Sequence, residues 1–174
     1  MEHRIFARIA HFKKTPMNMR EAINFEAMPH ESNLRNLGGY RLPEFQRPLV
    51  WTEDQDIKLV ESVWYGIDIG SYAITESQDP ALDGLLLDGQ QRLNALMAYQ
   101  NDAFPVFGYY WTQLTKTDRL DFTHVVFPRV TLSSPTDQMM RFYYNRMNFS
   151  GVRHDPDSMA PTSENGFPHP LATE

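Results

Sequence analysis

An unbroken apolar stretch runs into a polar turn and then a helical pattern at Leu85-Leu86-Leu87-Asp88-Gly89-Gln90-Gln91-Arg92-Leu93. The leucines suit a strand covered on both faces. Gly89 admits a positive φ in the turn, and Leu93, Leu96 and Met97 recur at helical spacing. The run therefore reads as a buried strand that delivers Asp88, Gln90, Gln91 and Arg92 to a helix start. Free backbone N–H groups and the positive end of the helix dipole favour an anion there, and a first-turn arginine adds phosphate hydrogen bonds. Capping is the competing account, because Asp88 is a good N-cap and Gln91 stands three residues on, as in a capping box. It leaves Arg92 and the second glutamine unexplained.

The 174 residues match one ordinary domain plus tails, with apolar and aromatic content sufficient for a core. No cysteine is present, so disulfides, thiolate metal sites and cysteine nucleophiles within this chain are excluded, and a reducing cytoplasmic setting is expected. No apolar run approaches the roughly 20 residues that span a bilayer, and no signal peptide is evident. Ile5, Ile9 and Phe12 share a helical face among basic residues, which reads as an edge element packed on the domain rather than a membrane anchor. The net charge of −6 argues against nonspecific nucleic-acid binding over the whole surface but permits a local basic cleft.

Along the chain, 16–27 reads as a short helix and Gly38-Gly39 as a turn or linker. Tyr40-Arg41-Leu42 reads as a strand stopped at Pro43, which leaves Gln46 and Arg47 on a proline-flanked loop. Thr52 caps a helix with Ile57, Val60 and Trp64 as its buried stripe, ended by Gly66. Strands are expected at Ser71 to Thr75 and, as the central strand, at Leu85 to Leu87, with a helix from Gln90 to Gln100. An aromatic strand region is expected over Phe104 to Trp111, a helical turn over Lys116 to Asp121, and a strand or strand pair over Val125 to Leu132. Pro135-Thr136-Asp137 opens a last helix with Met139, Phe142, Tyr143 and Met147 on one face and Gly151 at its end. The composition of 152–174 predicts a mobile tail. The organisation expected is an N-terminal extension, partly helical (1–39), a domain (40–151) and that tail.

Four pieces recur in order: Pro43-Glu44-Phe45-Gln46-Arg47-Pro48 with Trp51, Tyr65-Gly66-Ile67-Asp68-Ile69-Gly70, Asp88-Gly89-Gln90-Gln91-Arg92, and Phe142-Tyr143-Tyr144-Asn145-Arg146-Met147-Asn148 with Gly151. This set resembles the N-terminal domain family of GmrSD-type modification-dependent restriction proteins over about Tyr40 to Gly151. Two departures stand out: Tyr144 and Asn145 replace the usual phenylalanine and small residue before Arg146, and Ser150 stands where a second glycine is common.

The resemblance implies an α+β fold of ParB/sulfiredoxin-like type, a small mixed sheet with packed helices. It implies binding of a nucleoside triphosphate with Mg²⁺, in several members hydrolysed at the DGQQR region, coupled to recognition of modified DNA and to a nuclease elsewhere. The implied roles are Gly89, Gln90 and Arg92 on phosphate, Asp88 on Mg²⁺ or water, and Gln91 on the attacking water. Asn145, Arg146 and Asn148 would close the site from the last helix, and Gln46 and Arg47 would read a base or its modification. No nuclease constellation follows Gly151, and His154, Asp155 and Asp157 read as a solvated polar run. No G-x-x-x-x-G-K-S/T and no G-x-G-x-x-G occurs, so a conventional P-loop or Rossmann site is excluded. Alternatives to the NTPase reading are a phosphotransferase on the same fold and a free-standing non-catalytic interaction module, cellular or viral in origin, that binds or inhibits a host defence protein.

Overall fold

The computed structural model describes residues 12–149. In chain order the elements are β1 (Phe12–Thr15), α1 (Met19–Ile23), β2 (Arg35–Leu37), β3 (Tyr40–Leu42), α2 (Glu53–Trp64), β4 (Tyr72–Glu76), β5 (Leu86–Asp88), α3 (Gln90–Gln100), α4 (Lys116–His124), β6 (Arg129–Ser133) and α5 (Asp137–Phe149), with a 3₁₀ turn at Trp111–Gln113. The fold class is α+β, as expected. A four-stranded mixed sheet runs in the order β1-β6-β4-β5, with β4 and β6 parallel and the outer pairs antiparallel, and β2 and β3 form a separate hairpin.

Strand alternation sorts the core into two layers. Tyr72, Ile74 and Leu86 point into the larger cluster, built with Met19, Val60, Leu93, Leu96 and Tyr99 from α1, α2 and α3. Ala73, Leu85, Leu87 and Leu132 point to the other face, where Met140 of α5 and Phe45 cover them. Residues 12–39, set apart as an extension in the sequence reading, contribute to this body: β1 pairs with β6, and Met19 and Ala22 are fully buried.

α2 forms where its signals place it. Gln55 Oε1 accepts from the Thr52 N–H, Val60 and Val63 are buried, and Gly66 follows at φ +72°. Five expectations need correction. The leucine strand is buried on both faces but is not central, since β5 ends the sheet order and meets β3 through the Arg41–Leu85 bridge. Residues 104–111 form no strand: Pro105 lacks an N–H, and Phe107 and Gly108 both take positive φ in a tight turn closed by Val106 and Tyr109. The later strand begins only after Pro128, at Arg129, with α4 extending to His124 before it. On α5 the buried residues are Met140 and Tyr144, whereas Phe142 and Met147 are exposed, so the packed face is rotated from the one expected. Phe12 lies in a strand rather than on a helical face. Ile5, Ile9, Ser150, Gly151 and the run from His154 to Asp157 fall outside the described residues.

Candidate nucleotide site

Gly89 sits between β5 and α3 at φ +92°, ψ 8°, the left-handed region open to glycine, and is the helix N-cap. Its side of the turn is crowded, because a Cβ there would lie 2.7 Å from Tyr72 Cβ. Asp88 is therefore not the cap. Its Oδ2 instead accepts from Arg92 Nη2 at 2.9 Å, and the same Nη2 donates to the Ser71 carbonyl at 2.6 Å. No side chain caps α3, and the N–H groups of its first turn lack intrahelical acceptors.

The loop before α2 is pinned against this turn by amides. Gln91 Oε1 accepts from the Val50 and Trp51 N–H groups at 3.2 and 3.3 Å, and its Nε2 donates to the Pro48 carbonyl at 3.2 Å. Gln46 is buried, and its Nε2 donates to the Leu86 carbonyl on the edge of β5 at 2.9 Å. Arg35 donates to the Gln46 carbonyl at 2.6 Å and holds the loop from the β2–β3 hairpin. No spacing in the sequence points to Arg35.

Together these elements enclose a cavity of about 100 Å³ lined by Gln46, Arg47, Trp51, the whole run Asp88 to Arg92, and Asn148. The last helix reaches it because Tyr144 packs on Phe45, with ring centroids 5.2 Å apart, and Asn148 donates to the Tyr144 carbonyl at 2.9 Å. Of the residues expected at the site, Asn145 and Arg146 do not line it. Both are exposed, and the Arg146 guanidinium lies over the Phe142 ring, 5.6 Å from its centre. Tyr143, not anticipated as a site residue, stands behind the ion pair. Burial first, and the nearby Asp88 charge second, push its phenol up to about 12 against the opposing effect of Arg92.

The charges leave the cavity suited to an anion. Asp88 and Arg92 neutralise one another, whereas Arg47 is exposed and makes no ion pair among the described residues. One uncompensated cation thus faces the partial positive charge of the α3 N-terminus. Asp88 is the single carboxylate of the lining, and no cluster of three metal-binding side chains exists among the described residues. That donor set fits Mg²⁺ only where phosphate oxygens complete the shell, as Mg²⁺ ordinarily binds in nucleotide sites.

The fold and this cavity define a mixed α+β domain with a polar cavity at the glycine turn of a strand-to-helix junction. The chain belongs to the family described as the GmrSD restriction endonuclease N-terminal domain, whose family model matches residues 30–158. The family ties the domain to DNA restriction and defence. No curated protein and no solved structure matches the chain.

Proposed function

We propose that this domain binds a nucleoside triphosphate with Mg²⁺ at the Asp88–Arg92 turn and uses the bound state to control a DNA-restriction activity. The carrying observation is the convergence of an uncapped helix N-terminus, an unpaired Arg47 and the Asp88–Arg92 pair on one polar cavity. In this reading the N–H groups at Gly89 and Gln90 and the Arg47 side chain hold phosphate, and Asp88 contributes one oxygen to Mg²⁺. Bound Mg²⁺ would neutralise phosphate charge. The cavity is small, about 100 Å³. It takes one portion of the nucleotide, and the remainder lies along the exposed loop at Arg47 and Leu49.

Binding, rather than turnover, is the claim, because no free base lines the cavity among the described residues. The Gln91 amide is engaged by the loop, and Asp88 by Arg92. Gln91 then positions the loop instead of a water. The partners in this reading are DNA and a nuclease domain or subunit. The ParB/sulfiredoxin-like likeness belongs to the same reading.

Calorimetric titration of ATP, GTP, CTP and UTP with Mg²⁺ into wild type and Arg47→Ala tests it, with released phosphate assayed in the same samples. Binding weakened at least tenfold in the variant is expected. Wild type that binds none of the four refutes the proposal. A second reading, a partner-binding module, is favoured by the exposed Leu49 and Val50 on the loop and Phe142, Met147 and Phe149 on α5.

A further inference from the structure

The lining amides are not alike. Gln91 has both its oxygen and its nitrogen in hydrogen bonds to the loop backbone, and Gln46 uses its nitrogen on β5. Gln90 forms part of the same cavity wall and is only 5 % exposed; its Nε2 and Oε1 are shut off from solvent and have no hydrogen-bond partner among the described residues, so they meet a ligand when the side chain turns toward the cavity. Arg92 Nε beside it is likewise buried and unpaired. Buried polar atoms of native proteins are nearly all satisfied, and an amide left with both ends empty destabilises the free protein. Such an exception in a cavity wall marks a group kept for a ligand.

The unpaired oxygen narrows the ligand chemistry. Phosphate oxygens only accept, so phosphate alone would satisfy Nε2 and set an acceptor against Oε1. The matching group carries a donor and an acceptor side by side. On a nucleotide that pair is found on a nucleobase edge, as when glutamine pairs bidentately with adenine, or on the sugar hydroxyls.

We propose that Gln90 is the specificity-determining residue of the site and recognises the nucleoside portion, not the phosphates, through its unpaired carboxamide. This inference rests on the nucleotide-binding reading above. It assigns the interior of the cavity to the nucleoside edge and leaves the phosphates at its mouth with the exposed Arg47 and the α3 N-terminus.

The test compares wild type, Gln90→Met and Gln90→Leu by thermal melting without ligand, and by calorimetry with the four ribonucleotides, their 2′-deoxy forms and inorganic tripolyphosphate, all with Mg²⁺. Both variants are expected to melt no lower than wild type, since they remove two unpaired buried atoms. Wild type is expected to bind its preferred nucleotide at least tenfold tighter than tripolyphosphate, and the variants to lose that margin while keeping tripolyphosphate affinity. A loss confined to one base assigns the contact to the base edge. A loss matched by the 2′-deoxy forms of all four assigns it to the sugar. Variants that both melt well below wild type, or that retain its nucleotide preference, overturn the inference. Wild type that binds nucleotides no better than tripolyphosphate also overturns it, while leaving the anion site standing. Wild type that binds neither removes both.

Discussion

Gly89→Ala puts the geometry of the strand-to-helix turn to a quantitative test. Two costs are separable. Holding an alanine at φ +92° costs about 1–2 kcal/mol, the penalty for an L-residue in the left-handed region. The new Cβ would also sit 2.7 Å from Cβ and 3.1 Å from Cα of Tyr72, a fully buried residue of β4 that cannot move without displacing the core. Overpacking of this kind costs about 1–3 kcal/mol. The expected loss is therefore about 2–5 kcal/mol, which for a chain of this size lowers Tm by very roughly 4–20 °C. Gly66→Ala is the internal control, because Gly66 has φ +72° and nothing within 4 Å of an added Cβ. It carries the backbone cost alone. Urea unfolding followed by circular dichroism measures both. A Gly89→Ala loss below about 0.5 kcal/mol, or one no larger than that of Gly66→Ala, would refute the turn as described.

Gln91→Ala frees the Val50 and Trp51 N–H groups and the Pro48 carbonyl, all on a loop where water can replace the lost bonds, so a loss of about 0.5–1.5 kcal/mol is expected, with faster amide exchange confined to 49–51. Unchanged exchange there would show that the amide does not hold the loop. Arg92→Ala removes the bonds to Ser71 and Asp88 and is expected to cost about 1–3 kcal/mol, so its ligand binding has meaning only below a separately measured melting transition. A variant as stable as wild type would contradict the pairing. Alkaline pH should destabilise the protein. Burial and Asp88 hold Tyr143 at about 12, above an unfolded value near 10, and burial raises Tyr40, Tyr72 and Tyr99 in the same direction. The folded state binds more protons between those values, so the stabilisation is complete below about pH 10 and is lost as pH rises toward 12. Stability flat across that window, or phenolate absorbance from these tyrosines before unfolding, would refute it.

Local chemistry was legible in the sequence, and long-range pairing was not. Thr52, the Val60 stripe and Gly66 specify α2 within a dozen residues, and Pro43 stops β3 by lacking an N–H. Gly89 likewise announces its turn. The position of β5 was not readable because burial on both faces is shared by central strands and by an edge strand covered by a hairpin and a helix. The aromatic content of 104–111 suggested a strand, but Pro105 and the Phe107–Gly108 turn broke it, and its rings serve the core instead: Phe104 stacks on Tyr99 and Trp111 meets Phe122 edge-on. β1 pairs Phe12 with Leu132, a partner no local pattern can reveal.

At the site, the motif located the cavity, and the comparison with known families agrees with the resemblance it carried. What the motif did not show is the division of labour among its glutamines. Gln91 and Gln90 are neighbours with the same side chain. One is directed to a loop some forty residues earlier in the chain, and the other is left without a partner. That difference depends on which way each amide leaves the first turn of α3. The packed face of α5 was misjudged for a related reason. Phe142 and Met147 look like core by hydropathy, but contact with β5 and Phe45 selects Met140 and Tyr144.

The most direct measurement is hydrogen exchange read by mass spectrometry on the wild-type protein, with and without saturating Mg²⁺ and each nucleoside triphosphate. Slowed exchange confined to peptides covering 46–51, 88–93 and the end of α5 at Asn148 is the predicted footprint of a nucleotide seated at the Asp88–Arg92 turn. Protection elsewhere with these peptides unchanged, or no protection with any of the four nucleotides, would contradict the account.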